Sequence, residues 1–256
     1  MQEHVFENAG SRSSGGLLTA QAPPLSPPRL PTVRRYDRLK RLLDVVGAVV
    51  LLILTAPIML AVALLVLVTL GRPVMFRHPR PGRDGELFQM VKFRTMRPVD
   101  PTRGLVADAD RLTRVGQWLR ACSLDELPEL WNVLRGDMSL IGPRPLLIRY
   151  LDRYTPEQAR RHEVRPGITG LAQVKGRNSL SWEEKFAYDV EYVDNRSLLL
   201  DLKILVATVR VVLSREGVAA PGVATGCEFL GTAAYRSQVG RPANDPGADG
   251  IPTLPV

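Results

Sequence analysis

Cysteine, histidine and aromatic residues are scarce in this chain of 256 residues, and each scarcity removes a class of function. With only Cys122 and Cys227 there is no disulfide framework, and a reducing compartment is the natural setting. His4, His78 and His162 stand far apart, at no spacing that builds a zinc site. Aromatics make up 6% of the chain, and no glycine-flanked aromatic run offers a surface for stacking bases. Nucleic acid is therefore not an expected partner. Acids are also in deficit, 26 against 34 lysines and arginines, for a net charge of +8. Such a field draws phosphates, whether in nucleotides or in anionic lipid headgroups.

What is present is unevenly distributed. Residues 1–33 are rich in Pro, Ser and Gly, as in Ala22-Pro23-Pro24-Leu25-Ser26-Pro27-Pro28, and read as a disordered tail. No apolar segment begins near Met1, so a signal peptide is not expected. Residues 233–256 read as a second loose tail. Residues 34–72 form a membrane-associated unit. From Val45 to Leu70 there is no charge over about 26 residues, enough to cross a hydrocarbon core of about 30 Å. Pro57 near its middle predicts a break. Both flanks are basic: Arg34, Arg35, Arg38, Lys40 and Arg41 before, Arg72, Arg77, Arg80 and Arg83 after. A spanning helix cannot keep both flanks on the cytosolic side, whereas a re-entrant helix–break–helix can. A spanning helix kinked at Pro57 is the alternative.

Residues 73–232 read as one cytosolic domain. Pro73–Arg77 and Glu86–Phe93 look like strands separated by Pro81-Gly82-Arg83-Asp84-Gly85, which predicts a β-hairpin. Helices are expected over 108–120, 124–135, 156–162, 181–194 and 198–213. The last is Leu/Val-rich with Asp201, Lys203 and Arg210 interspersed. It suits either an amphipathic helix in the membrane interface or a core-packing helix.

The chemistry centres on adjacent acids, Asp125 and Glu126, since one carboxylate can attack while the other holds a metal. The same residues fit a capping box, Ser123-Leu124-Asp125-Glu126, with Ser123 capping a helix and Glu126 reaching back. Arg120 precedes the pair, and Gly142-Pro143-Arg144-Pro145 follows it, with two prolines stiffening the backbone around an arginine suited to phosphate. Cys122 has no adjacent histidine base and reads as a small structural residue. Asp44 lies at the membrane boundary, where an unpaired acid is costly. Arg120 is a candidate partner that would shape a lipid-phosphate site, and Lys40 or Arg41 are equally consistent. Lys40 and Arg41 suit either the lipid phosphate or anionic headgroups.

Taken in order, these motifs resemble the bacterial sugar transferase family, the short monotopic phosphoglycosyl transferases. The resemblance is carried by Lys40-Arg41-Leu42-Leu43-Asp44, Val91-Lys92-Phe93-Arg94-Thr95-Met96, Ser123-Leu124-Asp125-Glu126-Leu127-Pro128 and Trp131-Asn132-Val133-Leu134-Arg135-Gly136-Asp137-Met138-Ser139. It continues through Gly142-Pro143-Arg144-Pro145, Arg165-Pro166-Gly167-Ile168-Thr169-Gly170 and Asp201-Leu202-Lys203-Ile204-Leu205, covering about residues 36–232. The fold expected is α+β, mainly helical, with an embedded N-terminal helix, a small hairpin and a helical catalytic domain carrying interfacial helices.

The resemblance implies that Asp125 attacks the sugar-linked phosphorus of a UDP-sugar and releases UMP. A polyprenyl phosphate then takes the phosphosugar from Asp125. Glu126 would hold Mg²⁺, and Arg120, Lys92, Arg94 and Arg144 would contact phosphates, with Lys40, Arg41 and Asp44 toward the lipid. The implied location is the bacterial inner membrane, catalytic domain on the cytosolic face, at the first step of a lipid-linked polysaccharide. A membrane scaffold recruiting acidic lipid or protein partners is the non-catalytic alternative. Two positions depart from the family pattern. The helix break is often Ser-Pro but is Ala56-Pro57 here, with Thr55 as a substitute hydroxyl. The carboxylate motif often continues Leu-Pro-Gln but reads Leu127-Pro128-Glu129, adding a third acid. Arg177 is a weaker candidate for the nucleotide.

Overall fold

The structure, a computed structural model, describes residues 35–176, 179–214 and 228–232. The two expected tails, Arg177 and Cys227 lie outside the described residues. Helix α1 (Arg35–Leu70) is one element of 36 residues. It runs through Pro57 without the break expected there. Proline removes one backbone bond, and a helix this long keeps its remaining ladder on both sides. Thr55 does not serve the carbonyl that Pro57 leaves free; its hydroxyl donates to the Leu51 carbonyl at 2.7 Å. Most of the helix is exposed and apolar, with Ile53, Leu54, Leu60 and Val68 facing outward.

Both ends of α1 are nonetheless fastened to the same body. Near the N-terminus, Ala48 packs with Met90, Leu130, Val133 and Met138. Near the C-terminus, Val62 and Val66 pack with Phe93 and Leu119. Arg94 closes the C-terminal end by donating to the Leu70 and Gly71 carbonyls. That satisfies acceptors a helix end otherwise leaves orphaned.

Strands β1 (Met75–Pro81) and β2 (Leu87–Phe93) form the expected antiparallel hairpin, in register from Met75 opposite Phe93 to Pro81 opposite Leu87. Its turn needs left-handed backbone at Asp84 and Gly85. The helix expected over 108–120 is two helices, α2 (Asp108–Arg111) and α3 (Arg114–Ala121). Leu112 is extended and bridges Met96, and the Thr113 hydroxyl accepts from Gly116 N–H to start α3. The helix expected over 124–135 is likewise divided, into a 3-10 turn (Leu124–Glu126) and α4 (Glu129–Arg135). Gly136, at φ 95°, ends α4.

Strand β3 (Ser139–Ile141) pairs in parallel with β4 (Gly167–Thr169), an element the sequence did not reveal. The two approach closely at glycines: a Cβ on Gly167 would lie 2.1 Å from Gly142 N. Helix α5 (Pro156–Ala159) carries a capping box from Thr155 and Gln158. Then come α6 (Leu171–Lys175), α7 (Trp182–Asn195) and α8 (Leu198–Ser214). α8 buries Asp201 and Ile204 but leaves Leu198, Leu199, Leu202, Leu205, Val206 and Val209 exposed. These exposed residues form one apolar stripe along the helix, with Asp201 and Ile204 on its buried side. Residues 228–232 return to the domain, where Phe229, 0% exposed, sits among Tyr150, Tyr154, Trp182 and Phe186.

Candidate active site

Three elements bring the site together. The chain turns at Ser123, whose backbone is left-handed at φ 56°. Its side chain makes no cap hydrogen bond, so the capping box the sequence allows is not formed. Glu126 is thereby released from a capping role. Strand β2 supplies Lys92. Asn132, 1% exposed, fixes α4 against that strand: its side chain accepts from Val91 N–H at 3.1 Å and donates to the Gln89 carbonyl at 2.8 Å. The loop after β3 supplies Arg144. Gly167 N–H donates to the Pro143 carbonyl, and Arg161, itself paired with Asp189, donates to the Arg144 carbonyl at 2.6 Å.

The charged groups form a tight set. Lys92 Nζ lies 2.7 Å from Glu126 Oε1 and 3.0 Å from Glu129 Oε1. Arg144 grips Glu126 through both terminal nitrogens. Burial alone would raise the Glu126 pKa, but Arg144 and Lys92 overcome it and hold the carboxylate well below its usual range. In return, Glu126 pushes the Arg144 guanidinium above its ordinary value. Asp125 is 6% exposed and makes no ion pair among the described residues. Burial, then the neighbouring Glu126 charge, push its pKa up, opposed by Lys92, Arg120 and Arg144. Two adjacent carboxylates thus differ: Glu126 is a committed anion, while Asp125 has no cation paired with it among the described residues. A carboxylate free of tight partners keeps its lone pairs available for attack.

Of the residues singled out from sequence, Asp125, Glu126, Lys92, Arg144 and Arg120 meet here. Arg120, in the last turn of α3, donates from Nε to Thr95 Oγ1 and acts electrostatically on Asp125. Arg94 stands apart, holding the end of α1 as described. Lys40, Arg41 and Asp44 share no ion pair with the carboxylate cluster. Arg41 donates to the Val133 and Leu134 carbonyls, closing α4. Lys40 bonds Asp201 at 2.7 Å and approaches Asp44 at 3.7 Å. Asp44, which also accepts from Leu140 N–H, therefore takes the Lys40 alternative.

Three residues escaped the sequence reading of the site. Asp201 gathers Tyr36, Lys40 and Tyr192 into one network, and only its place in a family motif hinted at this. Glu129 was visible as a departure but not placed in the site. It is 1% exposed, and burial with Glu126 nearby raises its pKa to about 7 against the pull of Lys92. Arg80, on β1, acts electrostatically on Arg144 and Glu129. Among the described residues no three acids, histidines or cysteines converge as a protein-built metal cage. Glu126 nevertheless supplies oxygen donors suited to Mg²⁺, which commonly takes one or two carboxylates and completes its shell with water and substrate phosphate.

Comparison with known proteins identifies the family. The family model described as bacterial sugar transferase matches residues 35–215. The sugar transferase EpsL of Bacillus subtilis is 52% identical over 195 residues, 76% of this chain and 96% of that protein. The UDP-glucose:undecaprenyl-phosphate glucose-1-phosphate transferase of Caulobacter vibrioides is 45% identical over 194 residues, 70% of this chain and 72% of that protein. The undecaprenyl-phosphate galactose phosphotransferase of Salmonella typhimurium is 39% identical over 197 residues, 70% of this chain but 41% of that longer protein. The chain belongs to the bacterial sugar transferase family.

Proposed function

We propose that this sugar transferase moves a sugar 1-phosphate from a UDP-sugar to a polyprenyl phosphate, in two steps through Asp125. The observation that carries the reading is the unlike pair: Glu126 locked between Lys92 and Arg144, and Asp125 beside it with no paired cation among the described residues. In the first step an Asp125 oxygen attacks the phosphorus that bears the sugar. The bond to the UMP oxygen breaks, and UMP leaves with that electron pair. In the second, an oxygen of the lipid phosphate attacks the same phosphorus and the Asp125 carboxylate departs. Lys92, Arg120 and Arg144 offset charge on the phosphate oxygens. Glu126 would hold Mg²⁺, which would neutralise the diphosphate as charge moves to the leaving group. The names of the relatives differ in the sugar, glucose in one and galactose in another, so they assign no sugar to this chain.

The protein sits on a membrane in this reading, at the inner face of the cytoplasmic membrane where its substrates meet. Helix α1 is long and apolar enough to cross a bilayer. It packs on one catalytic body near both of its ends, which supports a placement with both ends on the same side of the membrane, although no break at Pro57 divides the helix. The exposed apolar stripe of α8 would lie along the same surface.

The test uses the full chain in micelles with Mg²⁺ and a panel of UDP-sugars. UMP should appear without acceptor, and a sugar-phosphate adduct should map to Asp125. Asp125→Asn should lose both. A folded Asp125→Asn protein that transferred at the normal rate would remove the two-step scheme.

A further inference from the structure

The chain contains two Pro-Arg-Pro tripeptides, Pro143-Arg144-Pro145 and Pro79-Arg80-Pro81. Only the first stood out in the sequence, because the second lies in a basic flank. The fold brings their ends together: Pro81, with Gly82, lines the same small cleft as Pro143, Arg144 and Pro145, while Arg80 lies outside that lining and acts electrostatically on Arg144. The hairpin register adds a second relation. Arg80 lies opposite Phe88, His78 opposite Met90, and Phe76 opposite Lys92. Opposed residues of an antiparallel pair share a face, so Arg80 and Lys92 stand on the face that carries buried Met90. That face packs on Leu130 and Val133 of α4, beside Glu129.

We propose that Arg80 is a further substrate-contacting residue, a cation held in readiness for a phosphate group of the substrates. The proposal rests on the phosphosugar-transfer reading above. The distinguishing observation is that Arg80 is uncommitted. Lys92 is shared by two glutamates, and Arg144 is gripped by Glu126. Arg80 makes no ion pair among the described residues, and its Nε is shut off from solvent with no acceptor. A buried donor without a partner costs about 1–3 kcal/mol. Arg94 also buries an Nε without an acceptor, but its terminal nitrogens reach backbone carbonyls, as those of Arg41 do, whereas Arg80 makes no hydrogen bond among the described residues. Burial and Arg144 draw its pKa down to about 10, with Glu129 opposing, so it is still a cation at neutral pH. A phosphate placed between Arg80 and Arg144 would satisfy the open donor and relieve the repulsion between the guanidinium groups. It would do so without breaking the ion pairs of Glu126. The flanking prolines limit the backbone freedom that such a contact must overcome.

Both substrates carry phosphate, and the experiment separates them. Full-length wild-type, Arg80→Gln and Arg80→Lys proteins in micelles are compared. Binding of UDP is measured by equilibrium dialysis, KM for a short polyprenyl phosphate by turnover, and folding by thermal unfolding. Arg80→Gln should weaken one of the two phosphate ligands by about ten- to a hundred-fold while uridine binding stays unchanged. Arg80→Lys should recover part of the loss. A rise in the UDP dissociation constant assigns the contact to the donor, and a rise in the acceptor KM assigns it to the lipid. If neither moves in folded Arg80→Lys and Arg80→Gln proteins, Arg80 is structural and the proposal fails, while the Asp125 adduct would still stand. If the wild type binds no UDP and forms no adduct, the underlying reading fails with it.

Discussion

Glu129 offers a direct test of the electrostatics of the site. It is buried, and Lys92 Nζ lies 3.0 Å from its Oε1. Its pKa stands at about 7 in the folded protein against an ordinary 4.5. The native state therefore keeps a proton that the unfolded chain gives up across that interval. Stability from this residue is fully present below about pH 4.5, is lost as pH rises through 7, and stays lost above it. Each pH unit is worth about 1.4 kcal/mol, so the loss amounts to about 3 kcal/mol at most. Glu126, whose pKa is depressed, acts in a separate window below the ordinary carboxylate range and is common to wild type and variant. Glu129→Gln keeps the shape and removes the titration. The two proteins should have similar melting temperatures near pH 4.5 and separate toward pH 8, the variant being higher by up to about 10 °C. Thermal unfolding in micelles across that range reads the difference. The contrary view treats Lys92 and Glu129 as a stabilising buried pair, whose disruption costs about 3–5 kcal/mol. A Glu129→Gln protein less stable than wild type at pH 8 would refute the argument made here.

The left-handed backbone at Ser123 makes Ser123→Gly stabilising by up to about 1 kcal/mol and Ser123→Ala nearly neutral. A capping residue would instead lose about 1 kcal/mol on change to alanine, so denaturant titration of the two variants decides between them. Phe229→Ala should lower stability by roughly 3 kcal/mol, because the ring is fully enclosed by four aromatic neighbours. A loss under about 1 kcal/mol in thermal unfolding would mean that the returning segment is not anchored by this ring. For topology, single cysteines replacing Arg38 and Arg77, in a background lacking Cys122 and Cys227, should both label from the cytosolic side. Labelling from opposite sides would exclude the re-entrant helix.

What the sequence made legible was local, and what it hid was decided across the chain. The hairpin was readable because two apolar runs flank Pro81-Gly82-Arg83-Asp84-Gly85, and alternation with turn chemistry acts over a few residues. The β3–β4 pair was not, because its two three-residue strands gain their stability from partners 28 positions apart, such as Ser139 and Gly167, and from glycines that permit the approach. Ser123-Leu124-Asp125-Glu126 illustrates the limit most sharply. The letters fit a capping box, yet Lys92 and Arg144, 34 and 18 residues away from Glu126, claim that carboxylate. Two ion pairs to a largely buried acid outweigh one exposed capping bond, so distant partners set the local conformation. The arginines carry the same lesson. Arg41, Arg94 and Arg144 are chemically alike and all sit in family motifs. Whether each meets a backbone carbonyl or a carboxylate depends on which helix end or strand lies opposite. Residue type therefore announces that phosphate chemistry is possible, and the commitment of each cation to a partner decides where. By that measure, a charged residue of this chain that stays unsatisfied, as Arg80 does, says more about a substrate than one already paired.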